Sequence, residues 1–262
     1  MSALVVDNSL VHYEVLGRGR PLLFLHGWLG SWRYWVPTMI ELSSSHRAYA
    51  LDFWGFGDSD RVPSRYDLPG YTDQVAAFLD QLGIGRLPII GHGLGSAVGL
   101  TLARDHPECV EQVMAISLPL TGAHIGRALS TFGGGENAAR AVLGRRLKSY
   151  DEVDIEAAKT EGAAVVQSVR SVADQDIGAL LRDSAVPVLL VAGADDPIVQ
   201  PPDDALAANL SAHVHSIVFD GVQHYPMLEQ SSKFCRLLRD FLTYQDDWDR
   251  MQLKDEWKRR MR

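Results

Sequence analysis

Hydrophobic positions along the chain fall into short runs separated by polar turns. Residues 3–6 and 10–15 predict two strands joined at Asp7-Asn8-Ser9, residues that suit a tight turn. The apolar run at 22–25 predicts a strand buried on both faces, as in a parallel sheet, 47–51 predicts another buried strand, and 87–90, 110–116, 186–192 and 214–219 predict further strands. Between them, residues 32–42, 71–81, 95–105 and 234–243 carry helical spacing, with Pro107 marking the end of the third helix. The alternation predicts an α/β protein, a mostly parallel twisted sheet with helices on both faces. It breaks over 120–184, where Ala-rich and charged stretches of helical spacing surround Gly133-Gly134-Gly135 and no strand is evident. The expected organisation is a core from 1–119 and 185–245, a helical insertion at 120–184, and a charged C-terminal helix at 246–262.

That last stretch carries Trp248, Met251, Trp257 and Met261 at nearly helical spacing. Its apolar edge either packs on its own domain, the preferred expectation, or docks a second subunit to make a homodimer. The chain has 262 residues, 46% hydrophobic and 22% charged, the composition of an ordinary globular protein. A net charge of −8 without a basic stripe ahead of the tail argues against a nucleic-acid partner. Cys109 and Cys235 are too few for a disulfide framework and are expected as free thiols. The N-terminus lacks the basic and apolar regions of a signal peptide, and no apolar run reaches a membrane span. The expectation is a cytoplasmic protein that does not engage a membrane. His213 and His215 alternate on a strand without acidic or thiol companions at ligand spacing, so no metal is expected. No cofactor motif is present either; the triple glycine lacks the Lys-Ser/Thr of a phosphate loop.

Chemistry is expected beyond the carboxyl ends of the strands. Gly91-His92-Gly93-Leu94-Gly95 lies between a strand and a helix. In a nucleophile elbow, small residues two before and two after let a sharp turn lift the central residue above the sheet. The amide after it, here of Leu94, can face a developing oxyanion. Asp195-Asp196 follows a later strand, and His224 follows the last. An acid and a histidine in that order, after an elbow, are the supporting members of a catalytic triad.

With Leu25-His26-Gly27-Trp28, the segment from Asp52 to Asp60 (Asp-Phe-Trp-Gly-Phe-Gly-Asp-Ser-Asp) and Gly193-Ala194-Asp195-Asp196-Pro197, these motifs resemble the α/β-hydrolase superfamily in its esterase-like and carbon–carbon hydrolase branch. The resemblance covers roughly residues 3–243 and implies the α/β-hydrolase fold with a helical cap at 120–184. It implies Asp196 as the acid, 28 residues before His224, and Asp195 as a turn residue. The amides of Trp28 and Leu94 would form the oxyanion hole. His26 would brace that loop, and Asp52 and Ser59 would hold the neighbouring one. Trp28 is expected to line a pocket for a small organic ligand. Trp32, Trp35 and Trp54 are equally consistent with lining it or with ordinary packing.

The central elbow residue departs from the family pattern. Gly93 stands where the superfamily has Ser, Asp or Cys, and a glycine cannot be acylated. Its absence of Cβ relieves the strained positive φ of the elbow. Dehalogenase and epoxide hydrolase chemistry needs Asp there, and Ser96 is expected to serve helix packing. Three readings are compatible with the residues: an enzyme in which the His224–Asp196 dyad works without a covalent nucleophile, a non-catalytic small-molecule binder, and a conventional ester hydrolase carrying a Ser→Gly substitution.

Overall fold

The computed structural model describes residues 2–135, 137–201, 211–245 and 247. Among the described residues eight strands form one sheet: β1 (Ser2–Val6), β2 (Ser9–Gly17), β3 (Arg20–Leu25), β4 (His46–Leu51), β5 (Leu87–His92), β6 (Val110–Ile116), β7 (Val188–Gly193) and β8 (Val214–Phe219). Their order is β1-β2-β4-β3-β5-β6-β7-β8. The β1–β2 and β2–β4 pairs are antiparallel and all others parallel. Every residue of β5 and β7 is buried, as a strand covered on both faces must be. β2 is only partly buried.

Helix α1 (Val36–Leu42) covers one face together with α10 (Ser231–Tyr244), the last helix among the described residues; α2 (Leu68–Gln81) and α3 (Leu94–Asp105) pack together on the other. The helix expected over 32–42 is divided. Trp32–Trp35 is a 3-10 turn, started by the Ser31 hydroxyl on the Arg33 amide, and Pro37 opens α1 proper. Asp67 caps α2 through the Gly70 amide and starts that helix at Leu68 rather than 71. The strand expected from 186 begins at Val188, just after Pro187, which has no amide for the ladder.

Between β6 and β7 the chain forms short helices: α4 (Arg127–Ser130), α5 (Ala138–Leu143), α6 (Asp151–Glu156), α7 (Gly162–Ala173) and α8 (Ile177–Arg182), joined by 3-10 turns. An isolated antiparallel bridge, Ile125 with Val199, ties the start of this stretch to the loop after β7. A last short helix, α9 (Pro226–Glu229), precedes α10. Among the described residues no helix is long and apolar enough to cross a membrane. The charged segment expected as a C-terminal helix, 246–262, lies outside the described residues save Asp247.

Candidate active site

Strand β5 ends at His92 and α3 begins at Leu94, so Gly93 alone makes the turn between them, at φ +51 and ψ −109. Only glycine takes such a conformation without strain. Its neighbours let the turn close. A Cβ on Gly91 would stand 2.4 Å from the Gly95 carbonyl, and one on Gly95 would stand 2.4 Å from that of Leu25. Ser96 is not part of the site. Its Oγ donates to the Ile116 carbonyl at 3.0 Å and accepts the Ile116 amide at 2.9 Å, locking α3 onto β6.

Asp196 and His224 come together from the loops after β7 and β8. Nδ1 of His224 lies 2.9 Å and 3.1 Å from the two carboxylate oxygens. A carboxylate accepts, so Nδ1 carries the proton and Nε2 is left as the basic nitrogen. Asp196 also accepts from the amides of Ile198 at 2.8 Å and Val199 at 3.0 Å, and from the Ser117 hydroxyl at 2.9 Å. Burial pushes the Asp196 carboxyl up, but the charge and hydrogen bond of His224 and the two amides outweigh it and hold it below its ordinary value. Asp195 is exposed, and its amide bonds the Val222 carbonyl in the turn. Ser117 was not singled out from the sequence. It follows β6 directly, adopts φ +46, and also reaches the His224 carbonyl at 3.4 Å.

A buried chain of hydrogen bonds joins three loops around the elbow. The Gly27 amide donates to the Tyr34 hydroxyl at 2.6 Å. The His224 carbonyl, 2.9 Å from Nε2 of His92, can only accept, so Nε2 carries the proton of the ring. Nδ1 of the neutral ring then accepts the Tyr34 hydroxyl proton, 2.9 Å away. Burial, and next the neighbouring His224 charge, push the His92 imidazole well below its ordinary value, so it is neutral. Gly27, His92 and His224 lie in or beside the motifs, but Tyr34, which joins them, is marked by none. His26 sets the loop beside it: Nδ1 lies 2.9 Å from the Gly27 carbonyl, and Nε2 accepts the Phe53 amide at 3.0 Å.

Trp28 is fully buried, and its side chain turns over the elbow. A Cβ built on Gly93 would stand 3.2 Å from both Cε3 and Cζ3 of the indole. On its other edge the indole Nε1 donates to Ser168 Oγ, in α7 of the insertion, at 3.1 Å. A side chain at position 93 would thus press on an aromatic ring that is held from the opposite side. The amides of Trp28 and Leu94 have no hydrogen-bond partner among the described residues. His224 is buried as well. Trp35 packs against Phe24 in the core, Trp32 lies beside His12 and under Arg33, and Trp54 is buried with its amide on Gln74 Oε1.

Asp52 organises the next loop. It accepts from the amides of Trp32 and Asp58 and from His12 Nδ1 at 2.9 Å, 3.0 Å and 2.9 Å. Ser59 donates to the Asp52 carbonyl at 2.7 Å and accepts the His12 amide at 2.9 Å. His12, Asp52 and Asp58 lie close enough to invite a metal, but Asp52 is already occupied by these donors. The insertion is fastened to the same region. Glu156 pairs with Arg33 at 2.6 Å and Lys159 at 3.0 Å, Lys159 also pairs with Asp58 at 3.0 Å, and Tyr66 hydrogen-bonds Glu161.

Residues 20–135 match the α/β hydrolase fold family. The sheet order, the elbow after β5 and this match agree. The chain is an α/β-hydrolase-fold protein. It is similar to the 2-hydroxymuconate semialdehyde hydrolase of Pseudomonas sp. (strain CF600), at 27% identity over 88% of this chain and 89% of that one. It is similar also to the soluble epoxide hydrolase of Corynebacterium sp. (strain C12), at 29% identity over 44% of this chain; there the match spans only 40% of the relative's length. Among solved structures, an N-acyl homoserine lactonase, AidH, in a serine-to-glycine mutant complexed with N-hexanoyl homoserine lactone, superposes with a TM-score of 0.80 at 22% identity, covering 93% of this chain and 97% of that one. This α/β-hydrolase-fold protein is therefore related to hydrolases named for small-molecule substrates.

Proposed function

We propose that the protein binds a small organic molecule between the elbow and the insertion at 120–184, which acts as a cap, and that it does so without a covalent enzyme intermediate. The observation that carries this reading is Gly93 under the Trp28 indole. No side chain at the elbow can be acylated. Loss of the nucleophile from a triad lowers kcat by on the order of 10⁶, leaving roughly 10³–10⁴ over water. Neither Ser96 nor Ser117 replaces it, because Ser96 is tied to β6 and Ser117 donates to Asp196. A conventional hydrolase with serine at 93 would also need the Trp28 ring to give by a few tenths of an ångström.

The His224–Asp196 geometry favours a second reading. With Nδ1 held by Asp196, Nε2 could take a proton from water or substrate once Trp28 has moved. The amides of Trp28 and Leu94 would then stabilise an oxyanion. Side-by-side hydrolysis of p-nitrophenyl acetate by the protein, His224→Ala and Gly93→Ser separates the two. Binding without chemistry predicts no turnover above that of His224→Ala. A rate that His224→Ala removes replaces that reading with general-base catalysis. A burst in Gly93→Ser shows that the dyad and the oxyanion amides stand in working geometry and that only the nucleophile is missing.

A further inference from the structure

We propose that the space now held by the Trp28 indole is a subsite for a planar, uncharged aromatic molecule bearing one hydrogen-bond donor, with Trp28 as its resident stand-in. The inference deepens the small-molecule reading and rests on it.

Three features define what can replace the ring. The first is shape. The benzo edge of the indole lies over Gly93, where any Cβ would come within 3.2 Å of two ring carbons. The absent side chain and the flat ring are complementary, so the slot is aromatic in outline because position 93 is glycine. The second is polarity. Ser168 donates its single hydroxyl proton to the Ala164 carbonyl at 2.6 Å. Its oxygen therefore presents only lone pairs to the slot, and it takes the indole Nε1–H at 3.1 Å. A ligand must bring an N–H or O–H to the same place. A group with acceptors alone, such as an ester or lactone carbonyl, would face those lone pairs and leave them unmet. The third is charge. His92 beside the slot is neutral through burial, and Asp196 already has His224, Ser117 and two amides. An ionised ligand would enter with no counter-charge, which a buried site does not tolerate.

For a ligand to enter, the Trp28 ring must leave; it is fully buried, but it lies in a turn beyond the end of β3, outside any helix or strand, and its indole N–H is tied by the single bond to Ser168. Entry of the ligand exchanges one N–H on Ser168 for another, so the cap keeps its contact in both states.

The test uses the full chain and two probes of the same shape, indole and benzofuran, which differ in having N–H or O at one ring position. Binding is followed by isothermal titration calorimetry. The unaltered protein is expected to bind indole at one site and to prefer it to benzofuran by about tenfold, the value of one neutral hydrogen bond in a buried site. Trp28→Ala should bind indole more tightly than the unaltered protein, because the stand-in is gone, with the same preference. Ser168→Ala, in either background, should bind both probes equally. This variant stands without Trp28→Ala, so the proposal is testable even where the larger truncation fails to fold. Equal affinity for the two probes in the unaltered protein overturns the proposal. So does indole binding confined to Trp28→Ala, which would make Trp28 a permanent filler. The ester assay is independent: His224-dependent turnover would displace the purely binding function while leaving an indole–benzofuran difference in place.

Discussion

A serine at position 93 has to find room under Trp28. Its Cβ would stand 3.2 Å from two indole carbons and 3.6 Å from the Gly27 Cα. It would also have to adopt φ +51 and ψ −109, outside the regions open to L-residues. Backbone strain of this kind costs about 1–3 kcal/mol, and overpacking a closed site costs about 1–3 kcal/mol more. Gly93→Ser should therefore lower stability by about 2–6 kcal/mol, read from urea denaturation midpoints at an unchanged m-value. The two contributions separate in a double-mutant cycle. Trp28→Ala alone should cost about 3–5 kcal/mol for the cavity it leaves. In that background the serine gains space but keeps its backbone strain. The pair should thus be more stable than additivity predicts by about 1–3 kcal/mol. Strict additivity would mean that Trp28 and position 93 do not meet, and both the closed site and the aromatic slot would fall with it.

Acid should weaken the fold before the carboxylates titrate. His92 and His26 lie below their ordinary value of 6.5, chiefly through burial. Their unfolded forms take up protons first, so their contribution is complete above that pH and is lost as pH falls below it. His12 runs the other way. Burial lowers it, but the hydrogen bond and charge of Asp52, with the charges of Asp58 and Glu14, raise it above 6.5, so its contribution is complete below 6.5 and is lost as pH rises through its folded value. Thermal unfolding between about pH 7.5 and 5.5 should show a net fall that is shallower in His92→Gln. Tyr34→Phe strands the Gly27 amide and His92 Nδ1, and should cost about 2–4 kcal/mol and speed hydrogen exchange at Gly27; unchanged exchange there would exclude the relay. Arg33→Ala should cost on the order of 1–2 kcal/mol, less than for a fully buried pair, because Arg33 is about one third exposed and Lys159 still binds Glu156. Adding Glu156→Gln should recover part of that loss, and no recovery would show that Arg33 acts through packing alone.

The sheet was readable because buried parallel strands are short apolar runs, and β5 and β7 are buried at every position. The elbow was readable because a turn this tight admits few residue types at 91, 93 and 95. Asp196 and His224 meet, but their meeting was inferred from family spacing, not from any property of the two residues alone. What the chain hides is long-range. Nothing local to Trp28 says that its ring turns over Gly93 or that its donor finds Ser168, 140 positions away. Tyr34 reads as an interior aromatic of a helix, yet its hydroxyl links Gly27 to His92. Ser117 sits at the end of a strand that no motif marks. His12, on β2, is paired with Asp52 only because the antiparallel pairing of β2 with β4 brings them together.

Ser117 also shows where the site keeps its tension. At the elbow, glycine takes a positive φ freely. At Ser117, φ is +46 and the residue is serine, a type that does not relax there. A glycine at 117 would ease the backbone and let go of Asp196. Positive φ is thus carried without strain at Gly93 and with strain at Ser117, the residue whose hydroxyl holds Asp196 against His224.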